Sequence, residues 1–166
     1  FALHVHAQDG TRGLELMSNI TFAGSVPLIK HGHGRMNVFA RSTNLTGAVE
    51  LRGGLTLLSD QNGGGYWPAA TQVMVRGIAS RSATDAGGNS FTWAEFQMIA
   101  VSNGVNNQLN DQATVTLTRS TMYYNGRRNN SAAAISSESI RKVVLEPQGF
   151  FNLMNAGNGG TYPGTL

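Results

Sequence analysis

Apolar and polar residues alternate through much of this chain. Phe1, Leu3, Val5 and Ala7 fall on one side of an alternating pattern, and Ala2, His4, His6 and Gln8 on the other. Met36, Val38 and Ala40 alternate with Asn37, Phe39 and Arg41; Val49 and Leu51 alternate with Glu50 and Arg52; Val73 and Val75 alternate with Met74 and Arg76. Further on, Ala94, Phe96 and Met98 interleave with Glu95 and Gln97, and Val115 and Leu117 with threonines. A period of two is the signature of a half-buried β-strand. Between these segments lie Asp9-Gly10, Asn62-Gly-Gly-Gly65, Gly87-Gly-Asn89, Asn103-Gly104 and Asn125-Gly126. Such dipeptides supply the positive φ that tight hairpin turns require.

The pattern therefore predicts an all-β fold: a single antiparallel β-sandwich or jelly-roll-like domain of about seven to nine strands. One stretch departs from it. Ser131 to Leu145 reads SAAAISSESIRKVVL. This predicts a short helix near 131–140, with Ser136 or Ser137 as N-cap, and then a strand over 140–145. The domain spans 1–154, with 1–8 an exchangeable terminal strand. The tail, 155–166, is rich in Gly and Asn and is expected to be flexible or to dock on a partner through Tyr162.

Composition narrows the class. Charged residues make up only 13% of the 166, about half the usual share, while Gly numbers 21. Large surfaces of such a chain can be buried against copies of itself without stranding ions. The net charge of +3 comes mostly from scattered arginines, not from the clustered stripes of a nucleic-acid binder. No run approaches the ~18 apolar residues of a membrane span. Cysteine is absent, so neither disulfides nor thiolate chemistry is available.

Candidate chemistry is concentrated in histidine. All four histidines fall in two His-x-His pairs: His4 with His6, and His31 with His33. On a strand, residues i and i+2 share a face, so each pair can aim two imidazoles at one point. If the two segments meet, the four rings form a candidate site for Zn or Cu. No third-ligand pattern, G-x-S-x-G elbow or phosphate loop accompanies them, and no enzyme is expected. Tyr66 and Trp67, on a glycine-rich loop, are candidates for stacking on a sugar or docking a partner; core packing is the more ordinary fate of such a tryptophan.

These features favour a non-enzymatic structural subunit that assembles with copies of itself into an extracellular filament. In style the chain resembles β-sandwich pilins and small virion coat or decoration proteins. The first strand, with Phe1, Leu3 and Val5, would join a neighbour's sheet by β-augmentation. The alternatives are a virion coat, decoration or tail protein, and a secreted carbohydrate- or metal-binding β-module. A chain opening on Phe1 in place of Met suits a processed protein at the cell surface or in a virion.

Overall fold

The computed structural model describes residues 1–7, 14–16, 21–39, 41–59, 66–77, 83–84, 90–91, 94–99, 108–125 and 138–154. The strands among them are β1 (Leu3–His6), β2 (Leu14–Leu16), β3 (Ala23–Gly24), β4 (Leu28–His31), β5 (Met36–Val38), β6 (Asn44–Leu45), β7 (Val49–Arg52) and β8 (Leu55–Ser59). They continue with β9 (Gln72–Arg76), β10 (Ala83–Thr84), β11 (Ser90–Phe91), β12 (Ala94–Ile99), β13 (Thr114–Thr118), β14 (Ser120–Asn125), β15 (Lys142–Leu145) and β16 (Gly149–Met154).

These strands do not form a sandwich. One six-stranded sheet runs β1-β4-β7-β9-β13-β15 and a second runs β2-β5-β8-β12-β14-β16. Every pairing within both sheets is parallel. Each pass of the chain lays one strand in the first sheet and one in the second, then returns one level along the axis. The fold is a parallel β-solenoid, and the antiparallel sandwich or jelly roll that the alternation suggested is overturned. The reason is physical. Alternation reports that a strand has one buried face; it carries no information on the direction of the neighbouring strand. Glycine corners of a solenoid also read like hairpin tips. The antiparallel pair among the described residues is β10 with β11, which brackets the Gly87-Gly-Asn89 turn signal.

Stacking in register turns each strand's alternation into columns along the axis. From the first sheet, Leu28, Val49, Val73 and Val115 form one inward column, each fully buried. From the second, Met36, Thr56, Phe96 and Met122 form another, facing it across the interior. Each buried valine or leucine contributes roughly 1.5–3 kcal/mol. No single turn could bury its apolar face alone; stacked neighbours supply the cover.

A third side closes the solenoid. There β3 pairs with β6, and single bridges join Arg41 to Tyr66 and Trp67 to Leu109. The Phe22 amide donates to Ser42 Oγ (2.9 Å), and the Trp67 amide to the Gln108 carbonyl (2.7 Å). At the next level the strand-like partner is replaced by a side chain. The Glu138 carboxylate accepts from the amides of Gln108 (2.7 Å) and Leu109 (2.9 Å). Burial pushes the Glu138 pKa up to about 7, with Asp111 adding to the rise and the two amide bonds opposing it.

A raised folded-state pKa means that the folded protein holds this proton more tightly than the unfolded chain. Stability from this group is therefore fully present below the usual carboxylate range and is lost as pH rises through about 7. We expect Glu138→Gln to flatten the stability profile between pH 5 and 7, checked by urea unfolding across that range.

The strand expected over 140–145 is β15, Lys142–Leu145. Residues 131–137, where the short helix was expected, and the tail 155–166 with Tyr162 lie outside the described residues.

Candidate functional site: the histidine stack and the open ends

The sequence pairs His4 with His6 on one face of β1, and the fold adds a third ring. Register places His6 opposite His31 of β4. The His4 and His31 rings are 5.1 Å apart between centroids at 12°, and those of His6 and His31 are 4.9 Å apart at 13°. His4 Nδ1 and His31 Nε2 are 2.8 Å apart, a hydrogen bond that requires one of the two nitrogens to be an unprotonated acceptor. The His31 pKa is held below its ordinary value by desolvation, then by His6, Arg52 and His4; Glu50 opposes.

His33 is not part of this stack. β4 ends at His31, and Gly32-His33-Gly34 forms the corner leading to β5. The backbone there lies against Gly54, whose φ is +62°; a Cβ at Gly54 would sit 2.5 Å from the His33 and Gly34 carbonyl oxygens. Gly54 thus allows the two corners to stack closely, and Gly32 turns the chain into its corner with a φ of +91°. Three of the four candidate metal ligands come together, as nearly parallel rings whose in-plane lone pairs do not converge on one point. Among the described residues, no group of three or more His, Cys, Asp or Glu side chains is placed to hold a metal ion.

The stack begins an outward column that runs the length of the first sheet. His6 and His31 are followed by Arg52, Arg76 and Thr118. Glu50, one column over, bonds Arg52 at 2.9 Å and lies 3.6 Å from Arg76. The Arg52 hydrogen bond holds the Glu50 carboxyl below its ordinary pKa range, against desolvation. At the far end of the column the Thr118 hydroxyl donates to Glu146, which immediately follows β15. One end of this stripe is therefore imidazole and the other carboxylate.

The two ends share a second property. The inward columns of the first sheet end on apolar residues at both ends, but there their cover stops. Leu3 on β1 is 46% exposed and Leu145 on β15 is 57% exposed, although both continue columns that are buried in between. Val5 and Leu14 at one end, and Val143 and Phe151 at the other, are only partly buried. Among the described residues, β1 and β2 lack a strand on one side, as do β15 and β16 on the opposite side. Phe1 is fully exposed beside β1.

The remaining aromatic candidates have other roles. Trp67 is completely buried, its ring stacked on Phe96 at 6.1 Å, so it serves the core and not an open surface. Tyr66 is half-buried, with the Arg41 guanidinium 5.5 Å from its ring centre.

Two buried charged groups escaped the sequence reading. One is Glu138. The other is Lys30, which occupies an inward position beside Leu51 and is completely buried. Its ammonium donates to the carbonyls of Gly32 (3.2 Å), Gly34 (2.8 Å) and Gly53 (2.5 Å). Burial lowers its pKa to about 7. It ties together two stacked corners by donating to carbonyls of both.

No helix of the described residues is long and apolar enough to cross a membrane. Comparison with known proteins finds no matching family model, no similar curated protein and no similar solved structure.

Proposed function

We propose that this protein is a non-enzymatic structural subunit that stacks end to end on copies of itself, forming an extracellular filament. β1 and β2 of one copy add to the β15 and β16 edges of the next. The observation that carries this reading is the match between the two ends. Among the described residues, both end in strands of the same two sheets that have no further neighbour, and both leave the same inward columns half covered.

Solenoids that remain monomeric normally end in caps with polar outer faces. An uncovered edge is a template for strand addition. Here the register of the next copy follows from the columns. Leu3 would follow Val143 and Val5 would follow Leu145, continuing the sequence Leu28–Val49–Val73–Val115 and its neighbour. The contact joins unlike surfaces, so repetition generates an open filament unless the rotation happens to close a ring. The sparse charge of the chain suits this use, since few ions need to be desolvated.

This version of β-augmentation adds whole rungs, with no exchange of a single strand into a partner's groove. Sedimentation velocity with negative-stain microscopy tests it. Concentration-dependent growth into rods one solenoid wide is expected, and a species that stays monomeric at all concentrations would refute it.

A further inference from the structure

We propose that the outward face of the first sheet binds a linear acidic glycan, a polyuronate lying along the solenoid axis, through Arg52, Arg76 and Arg119. The arginines are scattered in the sequence, and the fold gathers these three on successive levels. Register sets Arg52 of β7 beside Arg76 of β9, and Arg76 beside Thr118 of β13. Arg119 is one place further, at the corner between β13 and β14. Its backbone takes a φ of +47°, a left-handed conformation that a residue with a Cβ rarely adopts. The corner stacked on it is Gly77, whose amide donates to the Thr118 carbonyl (2.9 Å). A Cβ at Gly77 would stand 3.0 Å from that of Arg119, so the Arg119 side chain starts over the place that this glycine leaves open.

Glu50 orients two of the guanidiniums. It is buried one column over, accepts from Arg52 Nη2 at 2.9 Å and lies 3.6 Å from Arg76 Nε. Arg76 also donates to Met74 Sδ at 3.6 Å. A guanidinium carries five N–H donors, so both keep most of theirs for a ligand, and their side chains are 40% and 53% exposed. Arg119 is exposed and has no carboxylate partner among the described residues. At the next level Glu146 takes the Thr118 hydroxyl and ends the cationic run, so the site spans three levels. Successive strands lie about 4.8 Å apart, and a sugar unit of an extended chain advances by much the same step. Whether every carboxylate or every second one turns to the protein, a guanidinium stands at the matching height and can bind it through two N–H groups. The adjoining outward column, Met74, Thr116 and Val144, is half-buried and presents a largely apolar strip to the C–H faces of the sugars. Strands β7, β9, β13 and β15 carry no Phe, Tyr or Trp on which nucleic-acid bases could stack, which favours the glycan over a polynucleotide.

Calorimetric titration of the full chain with hexagalacturonate at low salt tests this. Binding is expected, and the fully methyl-esterified hexamer, which has the same sugars without the charges, should not bind. Arg52→Gln, Arg76→Gln and Arg119→Gly should each weaken binding by roughly five- to tenfold. Arg76→Lys keeps the charge and loses the two-pronged geometry, so it should fall between wild type and Arg76→Gln. Arg41→Gln removes the same charge from an exposed position on the third side and should change affinity less than about twofold. Circular dichroism checks that each variant is folded. No binding of the hexamer, or an equal loss in Arg41→Gln, would overturn the site. An oligothymidylate bound as tightly as the hexamer would make the face a general polyanion surface and overturn the glycan assignment. Binding is read per chain, stacked or not, so its failure leaves the stacking reading untouched, and a failure of stacking leaves this site untouched.

Discussion

Replacing Leu145 with glutamate is expected to abolish assembly while leaving the isolated subunit folded. Leu145 is 57% exposed in the single chain, so a carboxylate there can remain in water, and a surface change of this kind usually alters stability by within about 0.5 kcal/mol. At a junction the same position continues an apolar column against Val5 of the next copy. Burying an unpaired carboxylate there costs several kcal/mol, beyond the loss of the leucine contact. About 3 kcal/mol raises the critical concentration more than a hundredfold. Gln72→Glu is the matching control, because Gln72 is also exposed but lies on β9, which has a paired strand on both sides. It should assemble as wild type does. Equal loss in both variants would indicate general surface stickiness in place of stacking in register.

The second large effect is on stability. Lys30→Ala is expected to destabilise the fold by about 3–5 kcal/mol, because it empties a lysine-sized volume and strips donors from three inward carbonyls. For a chain of this size that lowers Tm by roughly 10 °C. Lys30→Met keeps much of the volume and isolates the hydrogen-bonding loss, so it should fall between. The pH dependence has a definite sign. The folded-state pKa of Lys30 is depressed to about 7 from an ordinary 10.5, so the unfolded chain binds the proton more tightly. This group's contribution is greatest above the ordinary value and is lost as pH falls through about 7. Stability of the wild type should therefore rise between pH 7 and 10 more steeply than that of Lys30→Met, measured by guanidinium unfolding in parallel.

The sequence located strands better than it located their partners. Val73 and Val75, Val115 and Leu117, and Ala94, Phe96 and Met98 all face inward as their alternation indicates. Strand direction was illegible because a parallel and an antiparallel neighbour cover the same face. The repeat was hidden by unequal rungs: Leu28, Val49, Val73 and Val115 share one column, yet their intervals are 21, 24 and 42 residues. The longest interval holds the β10–β11 pair and the segment leading to Leu109.

The site was half legible. Spacing put His4 and His6 on one face, but only the register of parallel strands adds His31, and only the corner geometry at Gly54 removes His33. Lys30 gave no signal, since a lysine in Leu-Ile-Lys-His breaks the pattern that marks inward positions. Leu145 became informative only when the last strand was seen to be an open edge.

The most direct measurement uses the absence of native cysteine. In the proposed junction His4 follows Val144, and neighbouring strands bring opposed Cα atoms to roughly 4.8 Å, within disulfide range. The double variant His4→Cys with Val144→Cys, oxidised under assembling conditions, is predicted to give a ladder of covalent multimers on a non-reducing gel, with each single variant stopping at dimer or below. A double variant that yields only monomer, or no more than the single variants give, would contradict end-to-end stacking in this register.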